Sequence, residues 1–257
     1  MPMEHGDQTD ISSREVSRIR SVYRERERVL PRKANPDQTN QGYQWLVREY
    51  HDRLERILCE RLPGSLSNCR VLDVGCGYGS LLGWLHGLGI PAANLFGVDL
   101  IPDRIKIARE MFPDFTFVEG NAERFDFPDD YFDLVPVFTV FSSILDPAMA
   151  KNVAQNISRV LVRDGAVVWY DMRYPNPWNP NLRAMTKRRI GELFPSFTLA
   201  LESISLLPPL ARQLGRYTDQ VYPLLALPPM LRSHYLGLLS PDREVAPASL
   251  KSRLSPR

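Results

Sequence analysis

One eleven-residue stretch limits what this chain can fold into more than any other: Arg70-Val-Leu-Asp-Val-Gly-Cys-Gly-Tyr-Gly-Ser80, followed by the apolar Leu81, Leu82, Trp84 and Leu85. A short apolar run entering a glycine-rich turn and continuing at helical spacing predicts a buried strand, a turn and a helix. Such a turn exposes backbone N–H groups at a helix start and lets a ligand approach the main chain closely. Further apolar runs short enough for buried strands follow at Leu95–Asp99, Phe115–Glu119, Phe132–Val137 and Ala166–Asp171, after the first at Val71–Val74. Helices are expected to start after Gly79, Pro102 and Pro147. This alternation implies an α/β protein with a doubly wound, mostly parallel sheet.

Ahead of the first strand, Val16, Ile19, Val22, Tyr23 and Leu30 recur near helical spacing, and Leu46, Tyr50, Leu54, Ile57 and Leu58 share one face of Tyr43–Arg61. Two amphipathic helices are expected, after a disordered start at residues 1–13 and separated by the breaker PRKANPDQTNQG. Past Asp171, YPNPWNPN reads as a proline-fixed loop and Phe197–Leu206 as a strand. A Pro- and Leu-rich helical insert then precedes a final strand at His234–Leu239. The expected division is 1–63 as tail and helical cover, 64–240 as the α/β domain, and 241–257 as a mobile tail.

A net charge of +2 on 257 residues gives no electrostatic footprint for nucleic acid. Cys59, Cys69 and Cys76 lack the paired spacing of a metal site and the density of a disulfide scaffold, so no metal and a reducing, cytoplasmic setting are expected. No run of about 18 apolar residues and no apolar leader occur. A soluble monomer or homodimer acting on a small molecule is the expectation. A membrane-surface binder is the rival, because Leu206–Leu214 and Tyr222–Arg232 alternate apolar clusters with Arg.

Three details separate the glycine turn from one that binds a dinucleotide. Asp73 precedes Gly75 by two residues, where a carboxylate suits a cationic amino-acid moiety and would repel a pyrophosphate. The glycines run 75, 77, 79, so Ser80 takes the third position of G-x-G-x-x-G. Asp99 ends the next strand 24 residues after Gly75, placed to accept two ribose hydroxyl hydrogen bonds.

The motifs VLDVGCGYG and GVDL resemble those of class I S-adenosylmethionine-dependent methyltransferases, in particular the UbiE-like (type 11) small-molecule branch. The resemblance runs from Val71 to about Asp171 and implies a Rossmann-like seven-strand sheet. It also implies S-adenosyl-L-methionine as cofactor, held by Asp73, Gly75, Cys76, Gly77, Gly79, Asp99 and Leu100. Glu119-Gly-Asn-Ala-Glu123 looks like the family's adenine loop, giving Asn121, Ala122 and Glu123. Asn121 stands where the family often has Asp, and its amide oxygen still accepts from an adenine amino group. The strand Tyr131–Phe138 resembles the fourth of the family, with Val137 and Phe138 lining the pocket and Pro136 at a frayed end or bulge. Leu161–Gly165 replaces the turn before the fifth strand. Thr139–Asp146, which contains Phe141, together with Trp169–Arg173 and Asn176–Asn179, resembles a bacterial subgroup associated with saccharide and cell-surface biosynthesis.

Asp171 ends the fifth strand on the edge where open α/β sheets bind ligands, and is expected either to act as a general base toward an acceptor hydroxyl or to shape a turn. Arg173 and Asn176 would orient a polyhydroxylated substrate. Tyr43 is expected either to cover the cofactor or to pack, and His234 either to reach the pocket mouth or to stay away from it.

Overall fold

The apolar runs are realised as strands, the central ones buried on both faces, in a computed structural model that describes residues 5–29, 39–61, 66–177 and 179–242. The strands are β1 (Val71–Val74), β2 (Leu95–Asp99), β3 (Thr116–Glu119), β4 (Phe132–Phe138), β5 (Leu161–Met172), β6 (Phe197–Leu206) and β7 (Arg232–Pro241). They form one sheet of order β3-β2-β1-β4-β5-β7-β6, in which only the β7 pairings are antiparallel. The helices are α1 (His5–Val29), α2 (Gln41–Arg61), α3 (Ser80–Gly87), α4 (Pro102–Met111), α5 (Pro147–Val160), α6 (Lys187–Leu193), α7 (Pro208–Gln213) and α8 (Thr218–Leu225).

The two-residue period of the strands sorts their side chains between two cores. Val135, Val137, Val167 and Trp169 pack with α5 and with Ile19 of α1. Leu134, Ala166 and Val168 pack on the other face with Leu54 and Leu58 of α2, Leu82 of α3 and Ile105 of α4. The strand order reverses between β1 and β4, and the crevice beyond the carboxyl ends of those strands is where such sheets take ligands.

Four local expectations are corrected. Helix α1 begins at His5, so residues 5–13 are helical rather than disordered; Ser12 there donates to Glu123, a contact no local pattern shows. Leu161–Gly165 is the start of β5 and not a turn: Phe132 pairs with Leu161 and Leu134 with Ala166, so the strand bulges between these two registers. Pro136 lies within β4, paired with Val168, and the irregularity falls nearer the strand's start. Helix α6 was not expected, although Thr186 caps it by accepting from the Arg189 N–H. Residues 243–257, most of the expected tail, lie outside the described residues. Among the described residues the three cysteines are free, and no helix is long and apolar enough to cross a membrane.

Candidate active site

The glycine turn between β1 and α3 is left-handed at Gly75 (φ 78°), Gly77 (φ 54°) and Gly79 (φ 78°), a conformation that restricts these positions to glycine. A Cβ on Gly79 would also meet the Phe117 ring at 2.7 Å. The turn is fastened to β2. The Gly75 and Cys76 N–H groups donate to the Val98 carbonyl, and Gly77 donates to Asp99 Oδ2 at 2.9 Å. Asp99 Oδ1 accepts from the Ile101 N–H at 2.8 Å, so this carboxylate is oriented from both sides. Burial raises its pKa, against the opposing pull of Arg104 and the two N–H donors.

A cavity of about 470 Å³ opens here, within the range of roughly 300–1,000 Å³ usual for small-molecule sites. Gly75, Asp99, Leu100, Asn121 and Ala122 line one side, and Tyr43, Phe138, Thr139 and Val140 line another. Thr139 adopts φ 56°, strained for a β-branched residue, and its N–H donates to the Tyr170 carbonyl at 2.7 Å. Helix α1 lies over the opening. Its Ile19, Tyr23 and Glu27 line the cavity, and Arg104 of α4 donates to Glu27 at 2.6 Å while stacking over Tyr23. Ile19, Tyr23, Glu27, Arg104 and Thr139 are site residues that sequence reasoning missed. The amphipathic pattern of α1 was visible, but its docking depends on partners far along the chain.

The structure brings Gly75, Asp99, Leu100, Asn121, Ala122, Tyr43 and Phe138 together at the cavity. Gly77 and Gly79 shape the turn behind it, and Cys76 is buried with its sulfur against Gly97. Glu123 departs from the cofactor role: it accepts from Ser12, Asn121 and Asn152, and so anchors α1. Val137 is core, because the alternation of β4 turns it toward α5. Phe141 stacks on Trp169 inside the same core.

The expected substrate and catalytic residues on the far strands do not reach the cavity. Asp171 has no exposed surface; its carboxylate accepts from the Ser142 N–H at 2.9 Å and the Met172 N–H at 2.7 Å. Burial pushes it up to about 6 against those hydrogen bonds, and its role is to hold the Phe141–Ser143 turn. Arg173 turns away to the Pro229 carbonyl, and Asn176 sits in the loop after β5. His234 is paired across the sheet from Met172, stacked on Tyr170 at 4.6 Å, and held down to about 4 by burial.

Known proteins share this arrangement. The family described as a methyltransferase domain matches residues 71–165, the span from β1 into β5 that includes Gly75, Asp99 and Asn121 of the cavity lining. Residues 71–165 thus carry a match to a methyltransferase domain. The phthiotriol/phenolphthiotriol dimycocerosates methyltransferase of Mycobacterium leprae is 29% identical over 173 residues, 63% of this chain and 58% of that protein. The magnesium-protoporphyrin O-methyltransferase of Rhodobacter capsulatus is 39% identical over 67 residues, 26% of this chain and 29% of that protein. The chain thus spans about half the length of the curated relatives it matches. A methyltransferase structure from Archaeoglobus fulgidus superposes with a TM-score of 0.53 at 17% identity, covering 78% of this chain and 99% of that one, which establishes the shared fold.

S-adenosylmethionine is the cofactor of such domains, and the residues of this site fit it. Asp73 is only 2% exposed, and among the described residues its carboxylate has no hydrogen-bond partner. Burial, helped by the neighbouring Asp99, pushes it up to about 8. A buried carboxylate left unpaired beside a cavity is matched by an ammonium group, which the methionine part of the cofactor carries. That pairing favours the ionised form, so binding lowers the Asp73 pKa and releases a proton near pH 7. Calorimetry of S-adenosylhomocysteine in buffers of different ionisation enthalpy should show up to one proton released at pH 6.5–7.5. Affinity should rise with pH across that window, and Asp73→Asn should abolish the release. Enthalpies independent of buffer would place the ammonium elsewhere.

Proposed function

We propose that this chain transfers the methyl group of S-adenosylmethionine to an oxygen of a small-molecule acceptor. The observation that carries the reading is the pair of buried carboxylates flanking the glycine turn: Asp99, which lines the cavity and is oriented by two N–H groups, and Asp73, unpaired just behind the lining Val74 and Gly75. When bound, the cofactor supplies a sulfonium-activated methyl that an acceptor lone pair displaces in line. Asp99 would hold the ribose hydroxyls and Asp73 the ammonium. Asn121 and Ala122 would flank the adenine; the Asn121 amide oxygen already takes the Glu123 N–H at 3.0 Å and has a second lone pair left.

The acceptor would enter along Tyr43, Phe138, Thr139 and Val140. Among the described residues this wall holds no carboxylate or imidazole, and Asp171 lies beneath the neighbouring turn. Alignment, with the α1 roof excluding water, is therefore the chain's main contribution, and a phenolic or other acidic hydroxyl suits the wall better than an ordinary alcohol. The aromatic and aliphatic lining suits an acceptor with an apolar face, which a phenolic ring presents. Oxygen as the acceptor atom is supported by the relative named as an O-methyltransferase.

Incubation with a small-molecule extract and methyl-labelled cofactor, followed by mass spectrometry, tests the reading. The expected result is S-adenosylhomocysteine together with one labelled acceptor. Binding of NAD at micromolar concentration, with none of S-adenosylmethionine, would overturn it.

A further inference from the structure

The insert between β6 and β7 is anchored on one side and bare on the other. Tyr222 of α8 is fully buried, stacks on Trp45 at 4.3 Å, donates to Glu49 at 2.7 Å and accepts from the Leu206 N–H at 2.9 Å. Ala211 and Ala226 complete this inner face with Leu46 and Leu206. The insert is therefore held as a unit against α2. Its outer side carries Leu210, Tyr217, Leu224, Leu227 and Met230, five of the seven exposed large apolar residues among the described ones. Leu224, Leu227 and Met230 are 65%, 66% and 71% exposed.

Two guanidinium groups sit behind that apolar tip. Arg232 donates to the Ala226 carbonyl at 2.7 Å and the Leu227 carbonyl at 3.2 Å, and Arg173 donates to the Pro229 carbonyl at 3.0 Å. They fix the turn from which Leu227 and Met230 project. Among the described residues neither is within ion-pair distance of a carboxylate. Residues 207–232 hold three Arg and one Asp, a local charge of +2 that equals the net charge of the whole chain.

We propose that this tip docks the protein on an anionic lipid bilayer, with Leu224, Leu227 and Met230 entering the acyl boundary and the guanidinium groups lying at the headgroups. Protruding side chains two-thirds exposed suit a liquid that closes around them, whereas a protein partner would need a matching groove. The insert's net charge of +2 is the complement of an anionic leaflet, with Glu49 acting on Arg232 from the inner side. The insert also reaches the active-site cavity. Arg212 of α7 lies over the ring of Tyr43, which lines that cavity, and Asn40 donates to the Arg212 carbonyl at 2.9 Å. A docked insert would put the acceptor wall close to the bilayer surface.

Flotation of the full chain tests this with phosphatidylcholine vesicles and with vesicles containing roughly 30% phosphatidylglycerol. Partition onto the anionic vesicles should be about tenfold or more above the zwitterionic ones, and should fall in 0.5 M salt as screening shortens to about 4 Å. The variant Leu224→Glu/Leu227→Glu/Met230→Glu should lose partition by about tenfold or more while S-adenosylhomocysteine affinity stays unchanged. Single Leu→Ser changes at 224 and 227, each costing several-fold, keep the test decisive if the triple variant does not fold. Absence of binding to either vesicle, or equal binding by the variants, overturns the proposal. So does a wild-type dimer in sedimentation that the triple variant converts to monomer, which would assign the tip to a second copy. Cofactor affinity, measured alongside, separates failure of the docking surface from failure of the methyltransferase reading.

Discussion

Asp99→Ala is expected to weaken S-adenosylhomocysteine binding by about 2–4 kcal/mol, roughly 30- to 1,000-fold, through the loss of two charge-assisted hydrogen bonds to the ribose. The structure adds a second contribution in the same direction. The Asp99 carboxylate also takes the N–H groups of Gly77 and Ile101, so its removal frees the glycine turn as well as the ribose. Secondary structure and the bulk of the stability should survive, because the strand itself is held by β1 and β3. Asp99→Asn sharpens the result: it keeps one acceptor oxygen and should fall between the wild type and alanine. Titration calorimetry checks both, and a folded alanine variant with unchanged affinity would place the ribose elsewhere.

Gly237→Ala is expected to lower stability by about 2–5 kcal/mol, which for a chain of this size is roughly 10 °C in Tm. Gly237 lies in β7 between Trp169 of β5 and Leu201 of β6, at φ 157°. A Cβ there would stand 1.9 Å from the Ala200 carbonyl oxygen. Because the obstacle is neighbouring backbone, no side-chain rotation relieves it, and the β6–β7 pairing has to part locally. Thermal unfolding followed by circular dichroism measures the effect. A Tm within about 2 °C of wild type would show that β7 tolerates a side chain at this point.

The central sheet was legible because parallel strands buried on both faces leave unbroken apolar runs, as at Val71–Val74 and Leu95–Asp99. The cofactor half of the site was legible for a related reason: Gly75, Asp99 and Asn121 lie in or beside strand ends, where sequence position fixes spatial position. Asp171 shows the limit of that logic. Its place at the end of β5 was readable, but the two-residue alternation decides which side a carboxylate takes, and Asp171 turns beneath Ser142. Arg173 is likewise drawn to Ser233 of the last strand and to the Pro229 carbonyl of the insert, and of the two expectations for His234 the structure shows the second, with the ring stacked on Tyr170 away from the cavity. The bulge after Leu161 escaped notice because its polar residues, Arg163 and Asp164, read as a turn.

The roof over the cavity has a kinetic consequence. Helix α1 is fixed mainly by polar links: Glu15 accepts from the Leu145 N–H at 2.6 Å, Arg18 donates to the Ser143 carbonyl, Tyr23 meets Ser143, and Arg20 reaches the Leu100 carbonyl. Among its described side chains, from Ser12 on, only Glu15 and Ile19 are buried. An element held in this way opens at lower free energy than the sheet beneath it, and salt weakens its ionic attachments while screening the buried Asp73 and Asp99 far less. Residence time and affinity are thereby assigned to different parts of the molecule. On the proposed reading, the sheet edge would set how tightly a nucleoside ligand is held, and the first helix how long it stays.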